Sequence, residues 1–103
     1  MKKGIVYTSR RQEGGDVIMP IQGYLIGNYG VYKDTTYCNM WCVIDAHSGL
    51  GVKYYSKLRD VYDVINSPSG MREWDESVKR YKNSDRYIEY HHKMQVYKSE
   101  HNI

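Results

Sequence analysis

Several short groups of reactive side chains stand out in this 103-residue chain. Cys38-x-x-x-Cys42 places two thiols four residues apart. On an extended strand both would face the same side, but about 13 Å of chain would separate them, too far for a disulfide. Met40 and Ile44 would complete an inward-facing row with these cysteines, while Trp41 and Val43 point the other way. A zinc site combining the thiols with His91 or His92 meets the same obstacle, because this spacing on a strand does not make a metal-binding knuckle. No metal site is therefore expected, and the cysteines read as small buried apolar residues. Asp45-Ala46-His47-Ser48 contains the residue types of a hydrolase triad. Near-neighbours in one turn do not supply that geometry, whose members converge from separate elements. The segment reads as turn chemistry. His91 and His92 would diverge on either a strand or a helix, so they do not chelate one ion from adjacent positions. Gly27-Asn28-Tyr29-Gly30 and Gly49-Leu50-Gly51 lack the lysine-hydroxyl ending of a phosphate loop.

Ser9-Arg10-Arg11, with Tyr7 before it and Gly14-Gly15 after, is the strongest binding candidate. A guanidinium is a planar fork suited to phosphate or carboxylate, and flanking glycines let a loop wrap a ligand. Tyr24, Tyr29 and Tyr32 would add stacking faces for bases or for a partner's side chains. The expected binding residues are Tyr7, Arg10, Arg11, Tyr24, Tyr29 and Tyr32. Charge reversal at Arg10 and Arg11 is expected to abolish binding and leave unfolding nearly unchanged.

These residues need elements to hold them. Residues 8–16 lack apolar periodicity and read as a flexible loop. From Ile21 to Lys33 a β-prone run interrupted by Gly23, Gly27 and Gly30 reads as a bent strand or tight hairpin. A strand over Tyr37 to Ala46, a loop at His47-Ser48-Gly49 and a strand over Leu50 to Tyr55 form the clearest hairpin. Ser56 suits a helix N-cap, and Leu58, Val61, Tyr62 and Ile65 share one helical face that ends at Pro68 and Gly70. Met71, Trp74, Val78 and Tyr81 predict a second helix, whose acidic start and basic end suit its dipole. Residues 86–97 fit both a strand and a helix by periodicity. Glu89, Lys93, Gln95 and Lys98 favour helix.

The bulk composition sets the style of the protein. Twelve tyrosines and no phenylalanine mean rings that carry a hydroxyl needing water or a partner. They predict half-buried aromatic groups at the surface. A net charge of +3 permits an anionic partner without the strongly basic footprint of a duplex-DNA binder. Its excess sits in residues 1–33, in Lys2, Lys3, Arg10, Arg11 and Lys33. No run is long and apolar enough for a membrane span, and the start is too weakly apolar for a signal peptide. Two cysteines are few for a secreted disulfide scaffold, so a reducing cytoplasm is expected.

The run from Trp41 to Val52, with its Ser48-Gly49-Leu50 hairpin feeding a helix after Tyr55, resembles a pattern in small bacteriophage and prophage proteins. The resemblance covers residues 41–65. It implies a phage accessory protein acting in the host cytoplasm, where such proteins inhibit host defences by binding CRISPR effectors or nucleotide signals. No catalytic residue carries over.

The expectation is one α+β domain over 1–103. An antiparallel meander of three to four strands is packed by the helix at 56–66, with one or two helices after it. It is expected to be non-enzymatic and to need no cofactor or metal. It would act as a stoichiometric inhibitor of a host protein, a nucleic-acid enzyme among the candidates. The alternative is a nucleic-acid or nucleotide binder using the same arginines and tyrosines. Exposed strand edges also invite completion by a second copy.

Overall fold

In the computed structural model, which describes the backbone of residues 1–103 and every side chain but that of Arg11, five strands precede three helices. The strands are β1 (Lys2–Gln12), β2 (Gly15–Ile26), β3 (Tyr29–Asp34), β4 (Met40–Asp45) and β5 (Gly51–Tyr55). They form one antiparallel meander in chain order, so the fold is α+β. Helices α1 (Leu58–Ile65), α2 (Arg72–Tyr81) and α3 (Asp85–Glu100) follow. The segment 86–97 is thus helical, and Ser84 caps it by accepting a hydrogen bond from the Tyr87 N–H.

The sheet has more strands than the sequence suggests because residues 8–16 are not a loop. They are the far end of the β1–β2 hairpin, which turns at Glu13-Gly14, and every residue from Lys2 to Gln12 has a partner in β2. Backbone pairing orders this polar stretch without apolar periodicity, since ladder hydrogen bonds do not depend on side chains. Two further expectations change. Lys57, not Ser56, is the N-cap of α1, and no side chain caps that helix. Cys38 lies in a turn and not on a strand, because β4 begins at Met40 and Asn39 takes a left-handed conformation with φ of 51°.

Two apolar clusters lie on opposite faces of the sheet. One joins Tyr29, Val31 and Val43 of the sheet to Val61 of α1 and Trp74 of α2. Fully burying an aliphatic side chain contributes about 1.5–3 kcal/mol, and Val31, Val43, Val61 and Trp74 are all sealed. The other contains Val6, Tyr32, Cys42 and Ile44, with Ile21 against them. This second cluster exists because the β1–β2 hairpin curls back over the sheet, bringing Val6 of β1 onto Gly30 of β3 and Ile44 of β4. The curl also carries β1 to the loop between β4 and β5. There the Ser9 N–H donates to the Gly49 carbonyl (3.0 Å) and the Ser9 hydroxyl to the Ser48 carbonyl (2.8 Å). Helix α3 seals the junction, with the Met94 methyl against Gly49 and the Tyr97 ring against Tyr7.

The curl requires glycine at position 23. A Cβ there would stand 2.3 Å from the Val31 carbonyl oxygen, a backbone atom that cannot step aside. Its cross-strand partner Gly4 faces only the mobile end of Leu25. Gly23→Ala is expected to destabilise the protein by about 1–3 kcal/mol through overpacking, and Gly4→Ala by much less. Urea unfolding of the two variants tests this; equal midpoints would show that the curl does not depend on the close approach.

Candidate functional sites

The six residues expected to bind are dispersed, and some of them are structural. Tyr29 and Tyr32 are buried on opposite faces of the sheet, each with only a small part of its surface exposed. Tyr7 is half-buried under Tyr97. The Arg11 side chain lies outside the described residues. Arg10 is tucked against the protein, not held out to a ligand. Its guanidinium carbon stands 5.6 Å from the centre of the Tyr32 ring and 5.7 Å from that of Tyr37, and one nitrogen lies 3.7 Å from Asp34 Oδ1. Such cation–π and ionic contacts gain strength when partly desolvated. Burial alone would raise the Asp34 carboxyl, but the N–H groups of Thr36 and Tyr37, with Arg10, hold it below the usual carboxylate value. Arg10 is therefore part of the fold, contrary to the expectation that reversing its charge leaves stability unchanged. Arg10→Glu, which sets a second carboxylate against Asp34, is expected to cost about 1–3 kcal/mol in urea unfolding. An unchanged midpoint would return Arg10 to the free surface.

Among the described candidates, Tyr24 lines a groove on the sheet, Tyr29 borders a cleft beside α2 and α3, and Tyr7 and Tyr29 border a smaller one near Gly30. A groove of about 540 Å³ on the face of the sheet is lined by Lys3, Ile5, Gln22, Tyr24, Lys33 and Trp41. Strand register assembles it. Lys3 is the cross-strand partner of Tyr24, and Lys33 that of Trp41, so two lysines and two rings line one groove. The ring centres lie 6.3 Å apart, tilted by 45°. None of its described lining residues is acidic. The sequence reading missed Lys3, Lys33 and Trp41 for this role. Their alternation along each strand was the available signal, but the register that makes them neighbours was not.

A second cleft, of about 480 Å³, lies where the loop after β4 meets α2 and α3, with Asp45, His47, Asp75, Lys79 and His91 among its lining. Its carboxylates are engaged. Asp45 Oδ2 accepts from the Ser48 N–H (3.1 Å), the Ser48 hydroxyl (2.8 Å) and the Tyr87 hydroxyl (2.9 Å), while the Tyr29 hydroxyl donates to Asp75. Ser48 is fully buried, and the His47 ring faces His91 at 5.9 Å. The Asp-x-His-Ser run is a folded turn, as its adjacency implied.

The cysteines depart most from their expected arrangement. With Cys38 in the turn and Asn39 reversing the chain, Cys38 Sγ, Cys42 Sγ and an Asp34 carboxylate oxygen all lie within 4.8 Å of one another. Cys42 is buried and Cys38 exposed. Burial, with Cys38 beside it, pushes the Cys42 thiol up to about 12.

Tyrosine hydroxyls complete the pattern. Tyr29, Tyr87 and Tyr90 donate to Asp75, Asp45 and Asp16, and Tyr55 accepts from the Trp74 indole (2.8 Å). Burial, then the bond to Asp45, raises Tyr87 above the phenol value of 10.0. The bond to Asp16, then burial, does so for Tyr90. A phenol raised in the folded state contributes stability that is complete below about pH 10 and is lost as pH climbs beyond it. Tyr87→Phe is expected to cost about 1–3 kcal/mol at neutral pH, and its gap from the wild type should narrow above pH 10. A gap independent of pH in alkaline unfolding would contradict the linkage. No protein family, curated protein or solved structure matches this chain.

Proposed function

We propose that this chain is a non-enzymatic binding protein whose groove takes a nucleotide, either free or as a base of single-stranded nucleic acid. The observation that supports this reading is the pairing of Lys3 with Tyr24 and of Lys33 with Trp41 around one open cleft. A base needs a π-face to stack on, and its phosphate needs cations within a few ångströms. The groove provides both, and its described lining includes no carboxylate to repel the phosphate. In the phage setting that the residue 41–65 pattern implies, such a protein would act in the host cytoplasm by withholding a nucleotide signal from a defence system.

A second reading, stoichiometric docking on a host protein, is favoured by one observation. Tyr37 is 74% exposed beside Arg10, and Tyr54 is 55% exposed on the same face of the sheet. Tyrosine and arginine are enriched among interface hot spots.

Titration with nucleoside triphosphates and with a short single-stranded oligonucleotide, followed by calorimetry and Trp41 fluorescence, separates the arms. Binding is expected to weaken about tenfold or more in Trp41→Ala and in Lys3→Glu/Lys33→Glu, a loss of about 1.4 kcal/mol or more. It should also fall steeply with salt. Absence of binding by both probes, or unchanged affinity in the double variant, overturns the groove assignment. A host protein retained at high salt and lost in Tyr37→Ala/Tyr54→Ala would support the docking reading instead.

A further inference from the structure

We propose that Asp34, Cys38 and Cys42 form a site for a thiophilic divalent cation, and that zinc is the ion their chemistry fits. The three ligand atoms already lie within 4.8 Å of one another. With zinc–sulfur bonds of about 2.3 Å and a zinc–oxygen bond of about 2.0 Å, tetrahedral geometry places such ligands about 3.5–3.8 Å apart. Closing the remaining gap asks about an ångström of movement. Cys38 is the residue free to move, since it is exposed and stands in a turn. Asp34 and Cys42 are buried and fixed in strands.

The two oxygens of Asp34 have different duties. Oδ1 accepts from the backbone N–H groups of Thr36 (2.9 Å) and Tyr37 (3.2 Å) and faces Arg10. Oδ2 is turned to the Cys38 thiol, 3.6 Å away. One oxygen therefore holds the turn and orients the carboxylate, as outer partners of metal ligands do, while the other is presented to the thiols. Charge balance also fits. Two thiolates and a carboxylate carry three negative charges, which a divalent ion and the adjacent Arg10 guanidinium cancel. On binding, the two thiol protons pass to solvent.

Two sulfurs and one oxygen select a borderline-soft ion over magnesium or calcium, which prefer all-oxygen shells. Three protein ligands leave the fourth position to water on the exposed Cys38 side, the coordination of an open zinc site. The third ligand comes from a carboxylate at the end of β3, not from His91 or His92. The inference is independent of the nucleotide groove, which shares none of these residues.

The test uses the reduced, chelator-treated full chain and cobalt as a spectroscopic stand-in. One equivalent of Co²⁺ is expected to produce a thiolate-to-cobalt charge-transfer band that Zn²⁺ then displaces, with zinc affinity read against a chromophoric chelator. Cys38→Ser, at an exposed turn position, should abolish the one-to-one band, and Asp34→Asn should weaken zinc binding about tenfold or more. Zinc should raise the unfolding midpoint of the wild type and not of Cys38→Ser. No one-to-one complex, or a Cys38→Ser affinity equal to the wild type, overturns the proposal. So does a reduced chain that ignores metal and instead closes a Cys38–Cys42 disulfide in air.

Discussion

Asp45 holds its carboxyl group almost entirely out of water, at 2% exposure, where β4, the loop after it and α3 meet. An ion there is tolerated only when donors replace its lost hydration, and an unpaired one costs several kcal/mol. Ser48 supplies two of those donors and Tyr87 the third. The first pair folds the β4–β5 loop into the shape whose carbonyls receive β1 through Thr8 and Ser9. The third anchors α3 to the sheet. Strand closure, loop shape and helix docking thus converge on one side chain.

The same interaction explains a composition with twelve tyrosines and no phenylalanine. A small domain has little interior to divide between apolar packing and polar satisfaction. A buried ring that also donates a hydrogen bond does both. Tyr29, Tyr87 and Tyr90 pack their bodies inside and end on carboxylates from distant segments. Several of the rings therefore hold the fold together and do not meet a partner. The exposed set narrows to Tyr37, Tyr54 and Tyr62.

The proposed binding chemistry lies at the groove and at the thiol cluster. The groove at Tyr24 and Trp41 lies beside the part of the sheet covered by α1 and α2, with the lysines of β1 and β3 at its edge. The thiol cluster occupies the turn between β3 and β4. β3 and β4 border both places.

Local pattern was enough to identify the helices and the central hairpin. Leu58, Val61 and Ile65 repeat at helical spacing, and Val43, Ile44 and the Ser48-Gly49 turn carry strand and turn chemistry in the residues themselves. The β1–β2 hairpin escaped this reading because backbone pairing holds Thr8 to Gln12, and pairing leaves no mark on side-chain type. Positions far apart in the chain met for reasons of register and curvature: Lys3 with Tyr24, Lys33 with Trp41, Tyr87 with Asp45. The cysteines mark the boundary most clearly. Their spacing was visible, but whether four residues separate two sulfurs or unite them depended on the left-handed backbone at Asn39, a conformation set by the turn that joins β3 to β4.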